Sequence, residues 1–289
     1  MARREDVRKR LAASRNPEHI YSAVLLETDA TLRAQRMSEV LLADTSNVLL
    51  AWHGLDICSQ YEGPDGCPLE RLERRLLDLD SQNAMAWARV AVNRMQRGET
   101  DSALDAMRYA ASAAEARSYW PETVEMLERA MAANSDLAFQ ERAGLAIAGA
   151  AAILSKLSPI VTICREQPAD SPEWARACLD YGSLLERRQE TEIGKVIGLA
   201  IQQATLETLG MDLQRDEVAA KVKTARRDRN SLWSDRRGPL VDVVLLTSPR
   251  DFAAYLNAVR QHGEYKAREA LHKEVTARLA ESAAIECAE

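Results

Sequence analysis

Residues 83–113, NAMAWARVAVNRMQRGETDSALDAMRYAASA, decide the fold that we predict for this chain. Apolar side chains recur in this segment at intervals of three and four residues, which is typical of an amphipathic helix. Gly98 interrupts the pattern, and glycine readily adopts the positive φ values found where a helix ends. The segment therefore predicts a hairpin of two helices, over residues 84–97 and 100–114.

The spacing of large and small residues in this hairpin resembles one tetratricopeptide repeat. The first helix carries an aromatic residue and, four positions later, a small one, and the second helix places a large residue between two small ones. Small residues allow two helices to cross closely, and the glycine permits the turn between them. The positions that match the family pattern are Trp87, Ala91, Gly98, Ala103, Met107 and Ala110.

Two positions depart from the family pattern: Arg94 stands where an aromatic residue is usual, and Glu115 stands where proline is usual. A looser unit precedes the hairpin, because Trp52 lies 35 residues before Trp87. The repeat-like part covers residues 50–115, and a generic helical hairpin without true repeats is the alternative.

The chain also resembles a group of uncharacterised bacterial proteins with a degenerate repeat of this kind. The resemblance rests on two cysteine pairs, on the junction DSQNAMAW at residues 80–87, and on the later segment ACLDYGSLLERRQETEIGKVIG at residues 177–198. It implies a fold and no particular activity.

Composition favours an all-α fold with no significant sheet, and the resemblance implies stacked antiparallel helical hairpins, a tetratricopeptide-like α-solenoid. Hydrophobic residues make up 46% of the chain, but aromatic residues only 5%. Such a core must be built from alanine and aliphatic side chains, and alanine has the highest helix propensity. Residues 241–246, VDVVLL, are predicted as helix because an isolated strand has nothing to pair with.

The chain is expected to have two regions: repeat-like hairpins over residues 1–135, and an irregular helical region over 136–289 packed on the first, with a linker at 227–239. The N-terminus lacks the apolar run of a secretory signal, and the longest uncharged apolar stretch, 143–154, is too short to span a bilayer. We therefore expect a soluble, cytoplasmic protein without a membrane span.

Four of the five cysteines form two local pairs, Cys58 with Cys67 and Cys164 with Cys178. Each pair flanks a turn between consecutive predicted helices, where a disulfide fits. Buried free thiols are the alternative, because cytoplasmic proteins seldom keep disulfides, whereas bonded pairs would favour the periplasm. The spacings differ from those of zinc knuckles, so we expect neither a metal nor a cofactor.

The leading functional prediction is a non-enzymatic protein–protein interaction or scaffold module. Stacked hairpins form a concave groove lined mainly by the first helix of each unit, and methionine and tyrosine suit an adaptable peptide site. Packing of the same residues against a neighbouring helix is the alternative. The residues predicted to line the groove are His53, Ile57, Gln60, Tyr61, Met85, Val92, Met95 and Gln96.

Two other functions are retained as alternatives. An enzyme would need a site assembled from scattered residues near His53 and Asp56, which share a predicted helix. A nucleic-acid binder would use residues 221–237, KVKTARRDRNSLWSDRR, although a solvated linker explains this basic stretch as well. The net charge of −6 does not favour general binding to nucleic acid, so no such partner is expected.

Overall fold

The computed structural model describes residues 2–43, 46–59, 68–154, 158–169, 171–234 and 238–286. These residues form sixteen α-helices and one short 3-10 helix, Gln167–Ala169. The α-helices are α1 Ala2–Ala12, α2 Pro17–Leu25, α3 Ala30–Ala43, α4 Val48–Cys58, α5 Leu69–Asp80, α6 Ala84–Gln96, α7 Thr100–Ser112, α8 Trp120–Asn134, α9 Phe139–Leu154, α10 Ser158–Glu166, α11 Pro172–Arg188, α12 Glu192–Thr208, α13 Asp212–Ser234, α14 Gly238–Thr247, α15 Pro249–His262 and α16 Glu264–Glu286.

The all-helical prediction is confirmed for this part of the chain, where the only bridge of β type is an isolated one between Asn83 and Glu115. Helices α6 and α7 begin at the predicted residues and end one and two residues early. Residues 241–246 lie in α14, as predicted. Among the residues that the structure describes, no helix combines the length and the apolar character needed to cross a membrane.

The spatial order of the helices follows the sequence only as far as α7. Helices α4 to α7 are successive neighbours, but α7 then packs against α11, and α12 and α13 follow α11. The hairpin of α8 and α9 turns back to α1 and α2, and α14 and α15 pack against it. Packing between helices that follow one another in sequence therefore describes the chain up to α7, and the later helices are arranged differently.

A single apolar core joins the two regions that we expect from the sequence, since it includes both Val7 in α1 and Val275 in α16. A smaller cluster of Leu199, Leu206 and Val218 holds α13 on α12. The expected linker at 227–239 is helical up to Ser234 and again from Gly238, and residues 235–237 lie outside the described residues.

Helices α11 and α12 cross with their backbones in contact at two glycines. A Cβ atom on Gly198 would lie 2.6 Å from the carbonyl oxygen of Gly182, and a Cβ atom on Gly182 would lie 2.7 Å from that of Gly198. The two helices approach this closely because neither residue has a side chain. The crossing fixes α12, and with it α13, relative to the α7–α11 pair.

Candidate interaction surface

A groove of about 540 Å³ opens between α5 and the turn that joins α6 to α7. The turn is tight because Gly98 has a φ of +77°, a value that residues with a side chain rarely adopt. It brings the start of α7 against the end of α6, beside α5. The groove is lined by Glu70, Glu73, Arg74, Leu77, Asp78, Arg94, Arg97, Glu99 and Ser102.

A buried carboxylate anchors the floor of this groove. Glu73, whose side chain is only 5% exposed, accepts hydrogen bonds from Arg97 at 2.7 Å and from Arg94 at 3.4 Å. Arg97 also donates to Glu99. Its hydrogen bonds to Glu99, and secondly to Glu73, raise the pKa of the Arg97 guanidinium. The same guanidinium lowers the pKa of the Glu99 carboxyl. Arg94 donates to the carbonyl oxygen of Ser102 at 3.1 Å. These bonds hold α5, α6 and α7 together and preserve the shape of the groove.

A stacked aromatic pair, the partly buried Trp87 of α6 and the exposed Tyr109 of α7, lies along two of the helices that border the groove. The two rings are stacked with their centroids 4.5 Å apart, and Tyr109 is 56% exposed. The indole N–H of Trp87 donates to the carbonyl oxygen of Ser81 at 2.8 Å. Seven residues separate Trp87 from Arg94 in α6 and Ser102 from Tyr109 in α7. Two helical turns return a side chain to the same face, so the pair and the groove share one face about 11 Å long. We call the groove and the aromatic pair together the α5–α7 surface.

Three residues predicted to line an open groove are buried, and that prediction is corrected. His53, Ile57 and Met85 all face the interior of the protein. His53 contacts Thr123 of α8 at 2.9 Å, and the sulfur of Met85 accepts a hydrogen bond from Gln189, which follows α11, at 2.6 Å. Helices distant in sequence therefore cover the face of α4 and α6 that a regular stack would leave open.

The other predicted groove residues vary in exposure. Val92 and Met95 are partly buried and pack against the apolar core, whereas Gln96 is exposed. Gln60 and Tyr61 lie outside the described residues. The alternative of packing against neighbouring helices therefore holds for the three buried residues and, in part, for Val92 and Met95.

His53 and Asp56, on which the enzyme alternative depends, are held in structural contacts. The hydroxyl of Thr123 donates to the carbonyl oxygen of Tyr119, so it accepts from Nε2 of His53. Asp56 forms an ion pair with Arg89 of α6, and neither side chain is more than 10% exposed. These contacts tie α4 to α8 and α6, and they bury the groups that a substrate would have to reach.

The residues that match the repeat pattern are mostly interior. Trp52 is 1% exposed and lies beneath the guanidinium of Arg89, 3.9 Å from its ring centroid. Trp87, by contrast, is only partly buried and stacks on Tyr109. The two tryptophans therefore occupy different environments. The small and large pattern residues that are fully buried are Ala91, Ala103, Met107 and Ala110.

Cys164 of α10 and Cys178 of α11 are joined by a disulfide, with an Sγ–Sγ distance of 2.04 Å. Thr205 of α12 donates to the carbonyl oxygen of Cys164 at 3.0 Å, so the bond lies beside the α11–α12 crossing. Cys58 is also disulfide-bonded. Cys67, its predicted partner, lies outside the described residues.

The basic stretch at residues 221–237 continues α13 as far as Ser234 and is not an extended linker there. Lys221 is paired with Glu186 of α11 at 2.9 Å, while Lys223 and Arg226 are exposed. The side chains of residues 228–237 lie outside the described ones. Part of the predicted basic charge is therefore used inside the molecule, to hold α13 beside α11.

Sequence reasoning missed the two residues that define the α5–α7 surface, Glu73 and Tyr109. A signal was present for each. Arg94, at a position where the repeat pattern usually has an aromatic residue, pairs with the buried Glu73. Tyr109 lies outside the apolar periodicity of α7, next to Arg108 in a sequence position where a polar residue is expected.

No protein-family model matches this chain, and comparison with curated proteins and with solved structures finds no significant match. Within the described residues, no three His, Cys, Asp or Glu side chains are grouped in a way that would hold a metal ion. The α5–α7 surface is therefore interpreted from its own geometry.

Proposed function

We propose that the protein is a non-enzymatic interaction module that binds a protein or peptide partner on the α5–α7 surface. The exposed stack of Tyr109 on Trp87 is the observation that carries the proposal. Tyrosine, tryptophan and arginine contribute most of the binding energy at protein interfaces, and all three lie on this face within two helical turns. The adjoining groove falls in the range of about 300–1,000 Å³ that is usual for binding clefts, so a partner side chain has a concave place to enter.

We also propose that α4–α5 and α6–α7 are two degenerate tetratricopeptide units, of the kind present in the bacterial group that the sequence resembles. The turn at Gly98, the packing of α6 on α7 and the full burial of Ala91 and Ala103 support this proposal. In such units the hairpins present a continuous surface to a partner. The α5–α7 surface would then be formed where the two units meet.

The proposal is tested by comparing the partners retained by three variants, each tagged and expressed in the protein's own host. Tyr109→Ser removes the outer ring of the aromatic pair, and Arg74→Glu reverses a charge in the groove. Leu213→Ser is the matched control, because Leu213 is 80% exposed on α13 and its replacement removes apolar surface elsewhere. Bound proteins are cross-linked and quantified by mass spectrometry, and thermal unfolding verifies that each variant is folded.

We expect the amount of bound partner to fall more than fivefold with Tyr109→Ser, because aromatic residues contribute much of the binding energy at protein interfaces. The amount of the same protein should also change with Arg74→Glu, because this variant alters the charge of the groove, and it should be unchanged with Leu213→Ser. Retention of every bound protein by Tyr109→Ser, or equal losses in all three variants, would refute the proposal.

We propose further that the protein resides in an oxidising compartment such as the periplasm, in place of the cytoplasm expected from the sequence. The Cys164–Cys178 bond and the bonded state of Cys58 support this location, because disulfides persist mainly in such compartments. Mass spectrometry of unreduced protein from its own host should find the Cys164–Cys178 linked peptide. Free thiols at both positions would instead favour the cytoplasm.

A further inference from the structure

We infer that the partner segment on the α5–α7 surface is basic, with a Lys or Arg side chain packed on the exposed ring of Tyr109. The inference rests on the proposed function, and it specifies the chemistry of the partner. It depends on the balance of charge in the groove, on the charge beside the aromatic pair, and on the exposed ring itself.

The groove contains more carboxylates than guanidiniums. The ion-pair cluster around Glu73 matches two arginines with two carboxylates. The charged lining residues outside that cluster are Glu70, Arg74 and Asp78. Two carboxylates against one guanidinium leave the open part of the groove with a negative charge, which attracts a cationic segment and repels an acidic one.

A further carboxylate, Asp105, lies one helical turn before Tyr109 in α7. Its side chain is 60% exposed and pairs at 2.9 Å with Arg108, itself 47% exposed. An exposed pair of this kind contributes little to stability, so a partner can exchange for Arg108 at small cost. The aromatic end of the surface is therefore also able to receive a cation.

The ring of Tyr109 favours the same charge, because the face of an aromatic ring is the negative end of its quadrupole. One ring face is covered by Trp87, and the side chain remains 56% exposed. A cation packed on an exposed ring contributes about a two- to fivefold gain in affinity. Lys and Arg also have long aliphatic stems, which cover apolar surface while the charged group reaches a carboxylate.

The test uses a phage library of random dodecapeptides, selected on the full chain with its disulfides intact. Enriched sequences are synthesised, and their affinities are measured by fluorescence polarisation. Binding is compared between the unmodified protein, Tyr109→Ser, the double variant Asp78→Asn/Asp105→Asn and the control Leu213→Ser. Thermal unfolding of each variant separates a loss of binding from a loss of fold.

The enriched peptides should contain more Lys and Arg than the starting library. Their affinity should fall at least fivefold with Tyr109→Ser. In the double variant it should fall about two- to fivefold for each carboxylate removed, and in Leu213→Ser it should be unchanged. It should also weaken as salt rises from about 0.05 to about 0.5 M, because exposed charges are screened.

Two results would overturn the inference. Peptides that require Tyr109 but are neutral or acidic would refute the basic partner and leave the proposed interaction function intact. Affinities unaffected by both Tyr109→Ser and the double variant would show that basic peptides bind elsewhere. The proposed function itself is judged by the partners recovered from the host, so the two failures are distinguishable.

Discussion

Replacing Gly198 by alanine should destabilise the protein, whereas replacing Gly144 by alanine should stabilise it. Both glycines lie within helices, Gly198 in α12 and Gly144 in α9. They differ in their surroundings. A Cβ atom on Gly198 would meet the backbone of α11 at Gly182, while a Cβ atom on Gly144 would have nothing within 4 Å.

The structure gives the size of the displacement. The Cβ atom introduced by Gly198→Ala would start 2.6 Å from the Gly182 oxygen, and ordinary contact begins at 3.4 Å, so α11 and α12 must separate by about 0.8 Å. Forcing extra volume into a packed interior costs about 1–3 kcal/mol. Exchange of glycine for alanine within a helix returns about 1 kcal/mol through helix propensity at either site.

The propensity gain is common to both variants, so the difference between them isolates the steric cost. We expect Gly144→Ala to raise the free energy of unfolding by about 0.5–1 kcal/mol and Gly198→Ala to lower it by up to about 2 kcal/mol. Urea titrations of the three proteins, followed by circular dichroism, measure both changes. If the two variants are equally stable, α11 and α12 do not cross at the distance described, and the reasoning is wrong.

Three further predictions follow from other parts of the fold. Changing Cys164 and Cys178 together to alanine should lower the free energy of unfolding by about 3 kcal/mol, the value for closing a loop of about 15 residues. The difference in free energy from wild type should disappear when the urea titrations are repeated in reductant. Burial raises the pKa of Glu264 above its ordinary value of 4.5, so its contribution to stability is present below pH 4.5 and is lost as the pH rises through the raised pKa. Glu264→Gln should therefore gain stability relative to wild type as the pH rises above 4.5, and a difference that does not change with pH would contradict this. Glu115→Pro should lower the free energy of unfolding, measured by heat or urea, by about 1 kcal/mol, because proline cannot donate the backbone hydrogen bond that Glu115 makes. Glu115→Ala, which keeps the backbone N–H, is the control.

The parts of the fold that sequence predicts well are those determined by neighbouring residues. The α6–α7 hairpin was predicted because the apolar period and Gly98 are both local signals. The burial of His53 was missed because Thr123, its partner, lies 70 residues away in α8. The α5–α7 surface was missed for a similar reason. The stacking of Trp87 on Tyr109 depends on how α6 and α7 are rotated about their axes, and neighbouring residues in the sequence do not determine that rotation.

The chain that leaves α7 is hydrogen-bonded to the junction that precedes α6. The side chain of Asn83 accepts a hydrogen bond from the backbone N–H of Arg117 at 2.9 Å and donates one to its carbonyl oxygen at 3.0 Å. The backbone N–H of Glu115 donates to the carbonyl oxygen of Gln82 at 3.0 Å. These bonds hold the chain that leaves α7 alongside the start of α6.

The bond from Glu115 needs a backbone N–H at a position where the tetratricopeptide pattern usually has proline. Proline, the residue usual there, has no N–H and would leave the carbonyl oxygen of Gln82 without this donor. With the chain held at Asn83, α8 begins near α1 and α2 and no third hairpin forms on the outer side of α7 within the described residues. That side is covered instead by α11, which begins some 60 residues after the end of α7, and the α5–α7 surface remains open.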